Sequence, residues 1–161
     1  MLIILIANKG IIDIVLLAIE LKIKVYSEDL KDDKNAFITK KGGYEIIVNR
    51  NQMPERQRFS ITREIAHFIL HKEEIQDRRV LARENSNFSL DIESEKAADA
   101  LAADILLPKK YVEECLTERN ISKENFITEI RVIKNLAERF KVSKTAAIVR
   151  LRETQLIYES L

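Results

Sequence analysis

The feature that most constrains this chain is the run that begins at Pro54, where the residue pattern turns helical and reads "RFSITREIAHFILHKEE" over residues 58–74. The spacing predicts a helix from Arg56 to about Glu74. At about 100° per residue, Glu64, His67 and His71 fall within about 60° of one another on the helix wheel, so their side chains converge toward one point. Ile65, Phe68 and Ile69 carry apolar groups elsewhere on the same helix. A helix with metal-capable groups on one side and aliphatic groups around it fits a site buried where a helix meets a sheet. A histidine on a helix also serves as an ordinary hydrogen-bonded structural residue, and that reading stays open for His71.

The rest of the chain supplies the sheet and further helices. "KIKVY", "AFITK" and "YEIIVN" alternate as strands do, and the last two are joined by "KGG", a hairpin turn signal. "LIILI" near the start reads as a short strand and Ile11 to Leu21 as a core helix. Beyond the first long helix comes an irregular polar stretch through "RENSNFSLD", then a helix from Glu93 to Leu107 that Pro108 stops, then three or more helices from Tyr111 onward. The expectation is an α+β fold in one domain, residues 1–161, with a small, mainly antiparallel sheet packed on a helical body that ends in a helix pair.

Composition excludes several classes. With 161 residues and 46% hydrophobic content, the chain suffices for one domain with a real core. Charged residues make up 33% and nearly cancel, to a formal net charge of +1, so no global field selects nucleic acid or membrane. The apolar start is broken by Lys9, Asp13, Glu20 and Lys22 well short of the ~20 residues that a span needs, and no basic residue precedes it as in a signal peptide. A cytoplasmic protein without a membrane partner is expected. The single cysteine, Cys115, has no partner for an internal disulfide and reads as a small apolar residue on a helix.

Two motifs together carry a resemblance. "RQRFSITREIAHFILH" is similar to the signature of the ImmA/IrrE family of metallopeptidase domains, in which an Arg-Phe-Ser/Thr lead-in precedes an H-E-x-x-H helix. "EKAADALAADILLPKKYV" resembles that family's second signature, with Glu95, Asp99 and Pro108 at the matching places. Asn49 in "IIVN" and "LAERFKVSKTAAIVRL" also match, so the resemblance runs from about Ile12 to Leu151. It implies a zincin-like fold and a zinc cofactor. Glu64 would be the general base, and His67 and Glu95 would be metal ligands. The implied task is site-specific cleavage of a DNA-binding repressor in mobile elements, stress responses or toxin–antitoxin-like pairs. The partner would then be a separate repressor or antitoxin-like chain.

The departure from the pattern is Arg63, which stands where the first histidine ligand belongs. A guanidinium stays protonated and has no lone pair to give a metal. Three arrangements follow. Arg63 pairs with Glu95 or Glu64 and neutralises the carboxylates without metal; or Glu64, His67 and His71 join Glu95 in a metal site displaced one turn along the helix; or water or a partner completes a family-like site. A non-catalytic protein-binding module of the same fold is the competing function.

A third class rests on the C-terminal segment. "NLAERFKVSKTAAIVRLRETQ" has a helix-turn-helix pattern with Ser143 as N-cap and Lys141 where a turn glycine is usual. Lys134, Arg139, Lys141, Lys144, Arg150 and Arg152 face only Glu138 and Glu153 there, which makes Lys144 and Arg150 candidate phosphate contacts on DNA.

Overall fold

The computed structural model describes residues 7–8, 10–31, 34–75, 92–117 and 126–154, with side chains from residue 10 onward and excluding those of 126–129. The "LIILI" and "RENSNFSLD" segments lie outside the described residues. The elements are β1 (Ala7–Asn8), β2 (Ile11–Ile12), α1 (Ile14–Glu20), β3 (Ile23–Glu28), β4 (Ala36–Lys40), β5 (Tyr44–Asn49), α2 (Pro54–His71), α3 (Ile92–Leu106), α4 (Lys109–Thr117), α5 (Phe126–Phe140) and α6 (Lys144–Glu153). The α+β class holds. Backbone contacts divide the chain into two compact units, residues 13–102 and residues 1–12 with 103–161, the boundary falling within α3.

The first unit is built on a three-stranded sheet of order β3-β5-β4. The "KGG" hairpin makes β4 and β5 antiparallel, as its glycines dictate, with Gly42 at a φ of 66°. β3 joins β5 in parallel register, Ile23 opposite Tyr44 through Glu28 opposite Asn49, so this sheet is mixed. With the short β1–β2 pair, two of the three pairings among the described residues are antiparallel. The central strand β5 is flanked on both sides, and its Ile46, Ile47 and Val48 are all buried, the continuous apolar run expected of an interior strand. Asn49 ends that strand by tying down the preceding loop: its amide donates to the carbonyls of Leu30 and Lys34 at 3.3 and 3.0 Å, and its Oδ1 accepts from Asn51 N–H at 3.0 Å.

The helix expected from Ile11 starts instead at Ile14. Asp13 accepts from the N–H groups of Val15 and Leu16, both at 3.0 Å, and this cap fixes the start, leaving Ile11 and Ile12 to pair with β1. Ile14, Leu17 and Ala18 are buried, while Val15, Leu16 and Ile19 stay exposed, so α1 contributes one face to the core rather than its whole circumference. α2 begins with Pro54 in its first turn, where the missing N–H costs nothing, and ends at His71, with a short 3-10 turn over Lys72–Glu74.

In the second unit, Gly10 turns between β1 and β2 at a φ of 84° beneath the Tyr111 ring; a Cβ there would lie 2.5 Å from its Cγ, so only glycine fits. The core of this unit includes Leu106, Val112, Cys115, Leu136, Phe140 and Leu151. α5 ends in a Schellman arrangement, Val142 N–H donating to Ala137 O at 3.0 Å with Lys141 in the left-handed position at a φ of 53°. Ser143 caps α6 by accepting from Ala146 N–H at 3.1 Å. No helix among the described residues is long and apolar enough to cross a membrane.

Candidate functional site

α2 and the first half of α3 supply the charged residues singled out by sequence, all within the unit of residues 13–102. Glu95 and Asp99 stand one turn apart on α3, so one guanidinium can reach both. Arg63 does so: its Nε donates to Asp99 Oδ1 at 2.6 Å and its Nη2 to Glu95 Oε2. The Arg63 and Glu95 side chains are each about one-third exposed, at 31% and 32%, and Asp99 is more open. His67 Nε2 lies 3.6 Å from the same Glu95 Oε2, near enough to feel its charge and too far for a hydrogen bond. His67 itself is buried at 2% exposure.

Glu64 faces the sheet. Its Oε2 accepts the backbone N–H of Ile38 on β4 at 2.8 Å, and the residue is 4% exposed. His71 lies one turn beyond His67, ring centroids 5.7 Å apart and tilted by 46°. Its Nδ1 is 3.8 Å from Glu74 Oε1, and its buried Nε2 has no hydrogen-bond partner among the described residues. The structure therefore pairs Arg63 with Glu95 and Asp99, sets His67 between Glu95 and the His71 ring, and bonds Glu64 to Ile38 on the sheet. Among the described residues, no group of three or more His, Cys, Asp or Glu side chains is arranged to hold a metal ion.

Arg58, in the lead-in to the motif, sits at a half-buried position on α2. Burial pushes its guanidinium pKa down from the ordinary value, and the charge of Asp13 works against that shift.

The basic C-terminal pair is a different matter. Lys144 is exposed at the start of α6, as a phosphate contact requires. Arg150 is not: it is buried, its Nε donating to Leu107 O at 2.8 Å and its Nη2 to Asp104 Oδ1 at 2.5 Å, with Glu153 3.9 Å from Nη1. To reach a DNA phosphate, Arg150 would have to give up the internal acceptors that its Nε and Nη2 already hold. What sequence reasoning missed is the partner of Glu64. A backbone N–H on an edge strand 26 residues away leaves no mark in residue type, and only the strand order shows it.

The comparisons agree with this architecture. No curated protein matches the sequence. A solved structure, a Mycobacterium tuberculosis transcriptional regulator, superposes with a TM-score of 0.56 at 17% identity, over 84% of this chain and 38% of that one. At that identity the likeness concerns the fold, and this chain spans well under half of the regulator's length. The family model for the IrrE N-terminal-like domain, a peptidase family, matches residues 18–152, from α1 to the last turn of α6, including both helices that carry the charged cluster. The chain belongs to the IrrE N-terminal-like family.

Proposed function

We propose that this chain is a regulatory module of the peptidase fold that recognises a separate protein, of the DNA-binding repressor class, without zinc-dependent hydrolysis. One observation carries the reading: Arg63 is ion-paired with Glu95 and Asp99 at the position where the motif calls for a metal-binding imidazole. The residues present do not fit a zinc site. Zinc takes lone pairs from neutral imidazole and carboxylate groups, usually from three protein side chains in a catalytic centre. Here the first position holds a permanent cation without a lone pair. That cation also sits on Glu95, the carboxylate that would be a ligand, so metal and guanidinium compete for one charge. The displaced arrangement on Glu64, His67, His71 and Glu95 finds less support, since Glu64 is bonded to Ile38 and Glu95 to Arg63.

Arg63 nonetheless does one part of what a metal would do. It supplies positive charge between α2 and α3 and ties the two helices together through Glu95 and Asp99. On this reading the α2–α3 pair is held together without a hydrolytic centre. Likeness of fold to a transcriptional regulator is compatible with a regulatory role.

The experiment is capture of the partner by the full chain in zinc-containing buffer, followed by mass spectrometry of what is bound. A DNA-binding repressor retained at full length is expected. Fragments of such a partner, produced by the natural chain and absent with Glu64→Gln, would overturn the proposal.

A further inference from the structure

Among the described residues the sheet order leaves β4 at an edge, and an edge strand presents N–H groups on which another strand can pair. Which N–H groups of β4 face outward follows from its register with β5. In an antiparallel ladder, hydrogen-bonded and non-hydrogen-bonded pairs alternate. Asn49 N–H donates to Asn35 O at 2.9 Å just before the strand, and Lys41 N–H donates to Gly43 O at 2.9 Å just after it, which fixes the phase. Phe37 and Thr39 therefore face β5, while Ala36, Ile38 and Lys40 turn their N–H groups to the free edge. Ile38 is the middle one of the three.

We infer that Glu64 is a latch on this free edge: its buried carboxyl group takes the outward N–H of Ile38, fixes β4 to α2, and blocks strand addition at the centre of the edge. The bond at 2.8 Å joins residues 26 apart in sequence and is buried, so it belongs to the tertiary fold. Breaking it leaves the Ile38 N–H without this acceptor away from water, which disfavours any opening of this contact. An extended segment that pairs along β4 must first displace Glu64 from Ile38. The residue that the peptidase motif reserves for activating water is thus engaged as a structural acceptor. This rests on the proposed function and deepens it by giving Glu64 a structural role at the same site.

Amide hydrogen exchange followed by NMR on the full chain tests the latch. In the natural protein the Ile38 amide is expected to be protected. In Glu64→Ala it should exchange at least about tenfold faster, the equivalent of a buried hydrogen bond lost, while Phe37 and Thr39 keep the protection they derive from β5. Glu64→Gln retains a side-chain carbonyl and should keep most of the protection. An unchanged Ile38 rate in Glu64→Ala would overturn the inference. If that variant does not fold, the natural protein still decides: a scalar coupling across the hydrogen bond, between the Ile38 amide nitrogen and the Glu64 carboxyl carbon, is expected, and its absence would overturn the latch. The two readings fail separately. Stoichiometric zinc in the natural protein would remove the proposed function and leave Ile38 protected, whereas an unprotected Ile38 would remove the latch and leave the Arg63 pairing as it is.

Discussion

Replacement of Arg63 by histidine is the perturbation that the site geometry predicts in most detail. His67 Nε2 and Glu95 Oε2 stand 3.6 Å apart. Two ligands of a tetrahedral zinc, each about 2.0–2.2 Å from the metal, are separated by roughly 3.3–3.6 Å. Two of three ligands are thus already spaced for zinc, and Arg63→His adds the third one turn before His67. Loss of the guanidinium has its own cost. A fully buried pair broken on one side costs about 3–5 kcal/mol, and an exposed one about 0–1. With Arg63 and Glu95 about one-third exposed and Asp99 about half exposed, the two contacts together are worth roughly 2 kcal/mol. For a domain of this size that lowers Tm by about 4–8 °C in chelator. Zinc at about one hundred times its Kd then restores about 2.7 kcal/mol, a rise of roughly 5–11 °C. Thermal unfolding by circular dichroism, with chelator and with zinc, reads both shifts. Arg63→Met is the control, expected to lose the same stability and to gain nothing from zinc. If Arg63→His binds no zinc, or is as stable as the natural protein in chelator, the view of Arg63 as a charge in the metal's place is wrong.

Three further outcomes follow from the packing. Lys141 holds a left-handed backbone at the end of α5, so Lys141→Gly should relieve about 0.5–1 kcal/mol of strain and raise Tm by a few degrees; a fall would contradict the Schellman geometry. Arg150→Ala should cost about 2–3 kcal/mol in urea unfolding, chiefly by leaving the Leu107 carbonyl without its donor, whereas Lys144→Ala at an exposed position should change stability by less than about 0.5 kcal/mol; equal effects would mean that Arg150 is not the strut described. Gly10→Ala should destabilise by more than about 1 kcal/mol, since the added methyl meets the Tyr111 ring at a backbone angle that alanine disfavours, and a neutral result would refute that packing.

Much of this was legible in sequence because it depends on local signals. Pro54 marks the start of α2, the "KGG" turn sets the β4–β5 hairpin, Pro108 follows the end of α3, and Ser143 caps α6. The start of α1 was also within reach, since Asp13 is a standard capping residue, but the apolar run before it drew the helix back to Ile11. What sequence could not give are partners set by tertiary placement. The parallel pairing of β3 with β5 comes from a strand order no local pattern encodes. Arg150 has the composition of a surface cation, and its burial appears only once Asp104 and Leu107 O are seen around it. For the charged cluster, residue types limited the choices without selecting one: Arg63 was a candidate partner of Glu95 or Glu64, and the structure pairs it with Glu95 and with Asp99.

The central claim is that Arg63 holds the place of a metal ligand and the site works without zinc. Metal analysis of the natural protein, purified without chelator and exchanged into zinc-containing buffer before desalting, tests it most directly. The account predicts zinc far below one per chain. A content near one zinc per chain, retained through desalting, would contradict it.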